Sequence, residues 1–552
     1  MPTLGIDLGT TYSVVATLDE HGAPVVLRNP LGEATTASVV CFESPTSVLV
    51  GSAARNAAPV FPDRTVALIK RQMGTDRVLS FDGREYGPEA VSALILRALV
   101  DGAVPDRDPD EPVRAVVTVP AYFGVREREA TAQACHLAGL ETMELVSEPV
   151  AAAVHYGFGD VVGIGTAVVF DLGGGTFDAT LLNMGGRIQV VATDGDTELG
   201  GADWDARLVT HLLDRFLAQV AGDVDPTDDE QFMAELSLAA ERAKRALSAT
   251  AEHRVPLRYG GSSATVTLTR ADFEAATRDL VDTALSCLRR MLSAGGRAGA
   301  SDVDHCLLVG GSSKMPMIAA ALEREFGWRP RLFDPDLAVA KGAALRAHQL
   351  LRLPVHEKTW SQRPRQRSGG GTADITPSFG SASPPRERAG DVPAGVEATA
   401  QAPVSSVAAR GFGPLVHDSH DKSGTRRFIS HVIHQNDPLP VDERTITLAT
   451  IVPNQRSVRI EVYEQAGAVE SEEVADNRQV LDGELSGLPA GLPAGSPITL
   501  TLRLGPDGRL AITAVEPKSR AELTVEACIE GVLDTAEREQ VARTLAGLTV
   551  RQ

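Results

Sequence analysis

Two short stretches of this chain share an order that few folds accommodate twice. GIDLGTTYS, Gly5–Ser13, ends an apolar run in Asp7 and continues through leucine and Gly9 to the hydroxyls of Thr10 and Thr11. VFDLGGGTFDAT, Val169–Thr180, repeats the order apolar, Asp171, leucine, glycine, hydroxyl. One Asp-x-Gly sequence is ordinary turn chemistry, because aspartate bonds nearby backbone and glycine accepts unusual φ. Two in matched order call for a shared reason. After Thr11 the run SVVATL alternates like a returning strand, so the first turn reads as a hairpin tip. Gly9 permits close backbone approach, and the threonine hydroxyls and exposed amides can donate to phosphate oxygens. Asp7 reaches a phosphate only across a cation, which points to magnesium. In the second turn Gly173, Gly174 and Gly175 leave still less side chain between backbone and ligand, while Thr176 and Asp178 repeat hydroxyl and carboxylate. The pair predicts two hairpins gripping a phosphate tail from opposite sides; two structural β-turns are the alternative.

Other routes to a phosphate are excluded. G-x-x-x-x-G-K-[ST] is absent, and GFGDVVG, Gly157–Gly163, has the wrong spacing for a dinucleotide fingerprint and precedes a strand, so it reads as a loop. The formal net charge of -20 argues against a general nucleic-acid binder, whose affinity rests on clustered Lys and Arg. Five scattered cysteines form no C-x-x-C pair, which removes a disulfide framework or zinc site and suits a reducing cytoplasm. No signal-peptide pattern and no apolar run of about 20 residues is present, so a soluble protein without membrane contact is expected.

With 552 residues the chain should hold several domains. Residues 1–352 alternate strand-like runs such as RAVVTVP and TAVVFD with helical spacing in PEAVSALILRALVDGA, an α/β pattern. Residues 353–410 are rich in Pro, Gly, Ser and Arg without apolar periodicity and read as a flexible linker. From 411 to 526, runs such as RTITLATI, SVRIEVYE and PITLTLRL alternate with period two between turn signals, predicting an antiparallel β-sandwich. Residues 527–552 leave room for one short helix, DTAEREQVARTLAGL.

At this level of detail the first 350 residues resemble the actin, sugar kinase and heat-shock ATPase superfamily, and most specifically the DnaK-type seventy-kilodalton heat-shock chaperones. IKRQMG, VTVPAYFGVREREAT, LVSEPVAAAVHYG, GDTELGGADWD, ERAKRALS, LLVGGSSKMP and DPDLAVAKGAA match that family in order. The resemblance implies an actin-like ATPase fold of two lobes, each a sheet with flanking helices, followed by a β-sandwich. It implies ATP or ADP as ligand with Mg²⁺, and K⁺ as a further cation. Lys70 resembles the lysine that positions the attacking water, and Glu148 and Asp171 resemble the carboxylates around that water and the hydrated metal. Asp7 would stand beside the metal with Asp178 nearby, and Thr176 would face the γ-phosphate. Tyr12 belongs to the first turn. Glu241, Lys244 and Ser248 lie on one helical face with Arg245 adjacent and resemble an adenosine clamp; a charged surface helix is the alternative. Gly310, Gly311, Ser312, Lys314 and Asp336 would supply the other side. Lys314 stands where the family has arginine, and a lysine cannot stack a planar guanidinium on adenine, so weaker nucleotide affinity is expected. Pro120 and Arg128 resemble the pair that couples nucleotide state to the second domain.

The sandwich resembles the family's substrate-binding domain less specifically. By that resemblance Leu448, Val458 and Ile460 would line a cleft for an extended peptide, with ordinary sandwich core as the alternative. His417 stands where an apolar arch residue is frequent. His417 and His420 in HDSHD lack further spaced ligands and suggest no metal. The long polar stretch replaces the short apolar linker, with only DITPSFG at 374–380 resembling it, and the helical lid is reduced to a remnant. The expected function is an ATP-hydrolysing chaperone that binds unfolded or extended polypeptide segments, with a J-domain co-chaperone and a nucleotide exchange factor as partners. A nucleotide-gated module for one dedicated protein partner is the alternative. A sugar kinase or actin-like polymer would leave the sandwich without a role.

Overall fold

The hairpin expected from Leu4 to Leu18 is the seed of a sheet. In the computed structural model, which describes residues 3–107, 111–158, 165–185, 187–220, 225–296, 302–332, 334–352, 404–418, 426–518, 522–526 and 535–552, the strands Leu4–Asp7, Tyr12–Leu18 and Pro24–Leu27 form an antiparallel meander. Val113–Val119 and Leu140–Ser147 then add in parallel on the other side of Leu4–Asp7. Parallel strands need a crossover, and the helix Val125–Leu137 supplies it. Lobe I is this sheet and its helices.

Lobe II repeats the pattern. Gly165–Leu172, Phe177–Met184 and Ile188–Asp196 form the meander, and His305–Val309 and Arg331–Leu332 add in parallel beside the first strand, joined by the helix Pro316–Phe326. The two sequence motifs are therefore the same turn in a duplicated architecture. The helix Ala338–Arg352 lies directly on the first strand of lobe I. A Cβ at Gly5 would meet the Ala344 nitrogen at 2.0 Å, and one at Gly342 would meet the Ala151 carbonyl oxygen at 1.7 Å, so both glycines are required for close approach.

The second domain is a sandwich of two four-stranded antiparallel sheets, with the order Arg427–Ile429, Phe412–His417, Ser457–Gln465, Asn477–Ser486 in one. The other runs Val441–Ala449, Pro497–Leu504, Leu510–Val515, Glu522–Glu526. In Pro497–Leu504 the side chains of Ile498, Leu500, Leu502 and Leu504 are buried and the residues between them face outward, the period-two signature of a half-buried strand.

Two boundaries differ from the sequence expectation. The stretch expected to be flexible as far as residue 410 is structured from Val404. Val404 and Ser405 pair in parallel with Ile188 and Gln189 at the edge of the lobe II sheet, and Val407 and Arg410 are buried. A two-residue strand carries no period, which hid it; the DITPSFG stretch and the rest of 353–403 lie outside the described residues. The C-terminal segment forms a strand besides its one helix. Thr535–Ala546 is helical, and Thr549–Arg551 is a strand parallel to Ser47–Val50 of lobe I.

Candidate active site

The two hairpin turns face each other across a cavity of about 820 Å³ between the lobes. The glycines let the two backbones close on one another. A Cβ at Gly174 would sit 2.1 Å from Thr11 Oγ1, and one at Gly175 2.2 Å from the Thr10 side chain. Gly9 and Gly173 shape the turns rather than donate into the cavity. The Gly9 N–H donates to Ser13 Oγ at 3.2 Å, and the Gly173 N–H donates to the Thr176 carbonyl at 3.1 Å. Thr10, Thr11 and Thr176 line the cavity and carry hydroxyls able to meet an anion.

Asp7 and Asp171 close equivalent strands of the two lobes, and both line the cavity with Glu148 and Lys70. Lys70 sits in a 3-10 turn, Ile69–Gln72, and its Nζ donates to Glu148 Oε1 at 2.6 Å with both side chains buried. Thr118 Oγ1 donates to Asp7 Oδ1 at 3.0 Å. Burial first, and repulsion from Glu148 second, push the Asp7 carboxyl up to about 7 against the pull of Lys70 and Thr118. Burial and the neighbouring Glu148, Asp178 and Asp7 push Asp171 well above the usual carboxylate range, and its buried Oδ2 has no hydrogen-bond partner among the described residues. Three carboxylates against one ammonium at the floor of the cavity call for added positive charge. Among the described residues no three Asp, Glu, His or Cys side chains converge as a direct ligand set. The site therefore fits a hard cation held through water and phosphate oxygens, as Mg²⁺ commonly is, rather than a protein cage.

Asp178 stands beside Asp171 but behind the cavity wall. Its cross-strand partner is Asp171, whereas Asp7 faces Val14, so the duplicated hairpin has no second carboxylate in lobe I. Asp178 does not line the cavity; its Oδ1 accepts the Tyr122 N–H at 2.9 Å. Burial, then Glu148, raises its carboxyl to about 7.

At the far end of the cavity Tyr12 lies under two guanidinium groups, Arg245 at 4.9 Å and Arg55 at 5.7 Å from its ring centroid. Arg55 of lobe I also pairs with Glu241 of lobe II, bridging the cleft. Glu241 pairs with Arg245 at 2.8 Å. Lys244 lines the cavity with its Nζ bonded to the Gly201 carbonyl and Asp205, each at 2.7 Å, and Ser248 Oγ donates to the Lys244 carbonyl at 3.1 Å. Gly310, Gly311 and Ser312 line the opposite wall, where Lys314 is ion-paired with Asp336. Arg71 crosses the cleft lower down, donating to the Gly175 carbonyl at 2.7 Å and pairing with Asp203.

Tyr122 ties this site to the second domain. Its N–H reaches Asp178, its hydroxyl donates to the Gly467 carbonyl at 3.0 Å, and the Arg410 guanidinium lies 4.7 Å from its ring centroid. Pro120 opens the same turn, accepting the Phe123 N–H at 3.2 Å. Arg128 is half-buried beside the sandwich; its side chain lies against Gly508, and its Nε donates to the Phe123 carbonyl at 3.1 Å. Burial holds its guanidinium below the usual range despite Asp507, Asp178, Glu127 and Glu464 nearby. Fully buried Glu464 of the sandwich accepts the Val125 N–H at 3.0 Å, and Arg478 bridges Glu464 at 3.1 Å and Glu127 at 2.8 Å. Val125 itself joins the sandwich core.

The expected peptide residues part company. Ile460 is 2% exposed and packs in the sandwich core, while Leu448 and Val458 are half-buried at its margin. His417 is exposed at the end of Phe412–His417; His420 lies outside the described residues. Sequence reasoning passed over Arg55, Arg71, Thr118 and Tyr122. For Tyr122 the signal was present, since VPAYF placed it between Pro120 and Arg128.

Two lobes of one duplicated pattern, closing matched turns on a cleft with a buried lysine and carboxylates at its floor, define the actin-like ATPase fold. Within that class, a family model described as Hsp70 protein matches residues 3–78 and 76–355. The chain belongs to the Hsp70 family, whose members are chaperone ATPases that generally bind ATP or ADP with Mg²⁺.

Proposed function

We propose that this chain hydrolyses ATP to ADP and phosphate and uses the nucleotide state to control how its sandwich holds extended polypeptide segments, in the manner of the DnaK type. The observation that carries the catalytic part is the buried Lys70–Glu148 pair beside Asp7 and Asp171, opposite the hydroxyls of Thr10, Thr11 and Thr176. In phosphoryl transfer the protein chiefly positions water and neutralises charge. Asp7 and Asp171 would hold the hydrated Mg²⁺, which supplies charge neutralisation to the phosphates when bound. Lys70, fixed by Glu148, would orient the attacking water with a compact ammonium, and Thr176 would meet the γ-phosphate. Glu241, Arg245, Ser248, Gly310, Gly311, Ser312 and Lys314 would enclose the nucleoside. K⁺, a J-domain co-chaperone and a nucleotide exchange factor complete the reading as partners of the same cycle. Free thiols buried at Cys41, Cys135, Cys287 and Cys306 suit a reducing cytoplasm.

The test is single-turnover hydrolysis by Lys70→Ala and Asp171→Asn. Each should lower the rate by about 10²-fold or more while nucleotide still binds, the magnitude usual for removing one preorganised electrostatic group. Unchanged turnover in either variant would overturn the assignment.

A second reading, a module for one dedicated partner, draws on Ile460, whose side chain is occupied by the core rather than offered to a client. Binding of a panel of extended apolar peptides to the full chain separates the two: broad binding supports the chaperone, and capture of one folded partner alone supports the module.

A further inference from the structure

We infer that the C-terminal segment 535–552 is a strap belonging to lobe I, where the chain's own tail fills a strand-addition site, and that the sandwich is thereby held to the ATPase domain at both ends. Three observations carry this. Thr549, Val550 and Arg551 pair in parallel with Ser47, Val48 and Leu49, the Thr549 N–H donating to the Thr46 carbonyl at 2.8 Å. Leu545 and Leu548 are 4% and 3% exposed and belong to the same buried cluster as Val48, Val50, Leu94 and Leu99, with Val541 and Val550 packed against it. With Val541 they form one apolar helical face running into the strand. Polar contacts then fix the backbone: Arg97 Nη1 donates to the Leu545 carbonyl at 3.1 Å, Gln552 to the Ala98 carbonyl, and Arg551 pairs with Glu43.

The placement has a mechanical consequence. Val404–Ser405 attaches one end of the sandwich to lobe II, and Thr549–Arg551 attaches the other end to lobe I, so rotation of the lobes moves the two attachment points relative to each other. The strand that receives the strap runs through Gly51 into the helix Ser52–Ala57, which carries Arg55, and its sheet continues through Thr65–Val66 toward Lys70. The strap thus lies on the small sheet that carries residues of the cleft. The attachments are unequal. The lobe II strand has two paired residues and one buried side chain in that lobe's apolar cluster, Val407, whereas the strap has three paired residues and two nearly fully buried leucines in the cluster of lobe I. The lobe II strand releases first, and the strap stays.

The inference does not depend on ATP turnover, and its test needs none. In the full-length protein, hydrogen exchange at 549–551 should be at least about 100-fold slower than in a free peptide of residues 535–552. Under increasing urea Val404 and Ser405 should open before 549–551. Fast exchange at 549–551, or opening of 549–551 together with or before 404–405, would overturn the inference. The full chain carrying Ser47→Cys and Thr549→Cys should form an intrachain disulfide under mild oxidation. A disulfide between two chains would give the site to a second copy's tail, and no disulfide would remove the site; either defeats the proposal. Leu545→Asp should speed exchange at 549–551 and at 47–50 by about tenfold or more and leave the sandwich strands unchanged. Unchanged exchange there would also defeat it.

Discussion

Glu89 shows how a single buried carboxyl writes itself into stability. It stands in the first turn of the helix Pro88–Ala103, 3% exposed, and burial raises its carboxyl to about 7 against backbone donors at Glu89 and Gly74. From about pH 4.5 to 7 the unfolded chain releases this proton and the folded chain keeps it, so stability declines as pH rises through that window and stays lower above it. Glu89→Gln should therefore stabilise the protein at pH 8 by an amount on the order of 2–3 kcal/mol and change little at pH 4.5, read from thermal unfolding at both. Thr118 acts on the cleft itself. Its hydroxyl donates to Asp7, and Thr118→Val keeps the volume while removing the bond. Hydrogen bonds to charged groups contribute about 1.5–3 kcal/mol, so the variant should need roughly tenfold more Mg²⁺ for half-maximal ATP binding, measured by titration with a fluorescent nucleotide. An unchanged Mg²⁺ requirement would show that Asp7 is held in place by other means.

At the scale of elements, the first turn of the helix Val125–Leu137 and the strand Ser457–Gln465 meet through one charged cluster. Arg478 lies between Glu127 and Glu464, and although burial alone would raise Glu127, Arg478 and Arg410 hold its carboxyl below the usual range. Removing the shared cation leaves two buried carboxylates facing each other. Arg478→Met should weaken docking by about 3–5 kcal/mol, and adding Glu464→Gln should restore part of it. Small-angle scattering reports this as expansion in the single variant and partial recompaction in the double; equal dimensions throughout would mean that the cluster does not hold the domains. How much of these elements was legible in the sequence follows from what makes each one. The two hairpin turns were legible because their chemistry is local, with Asp, Gly and Thr fixed by the tip itself. The sandwich strands announced themselves by alternation. Val404–Ser405 and Thr549–Arg551 were not legible, because strands of two and three residues carry no period and exist only through partners far away in the chain. Arg71 and Thr118 were hidden for the same reason: each is ordinary in its own segment and becomes part of the site only when the sheets assemble.

For the whole molecule the governing question is what holds the two lobes around a ligand. The duplicated sheets put equivalent turns on either wall, but matched walls alone do not close a cleft. Among the described residues two arginines cross it from lobe I: Arg71 to the Gly175 carbonyl and Asp203 near the turns, and Arg55 to Glu241 at the nucleoside end. They differ in depth. Arg71 is bonded to a turn backbone, so its loss would disturb the phosphate site directly. Arg55 touches Tyr12 and Glu241 only at the rim, with the pair about a fifth to a quarter exposed. A partly exposed ion pair contributes about 0.2–1 kcal/mol, so Arg55→Ala should speed release of a fluorescent ADP by up to about fivefold. Arg55→Lys, which keeps the charge but not the planar contact with Tyr12, should recover only part of the slow release. The single-turnover hydrolysis rate with ATP already bound should stay the same in both, because Lys70, Glu148, Asp7 and Asp171 lie at the other end of the cavity. Stopped-flow release and single-turnover hydrolysis on the same preparations decide it. A parallel drop in hydrolysis would mean that cleft closure, rather than nucleotide retention alone, depends on this pair.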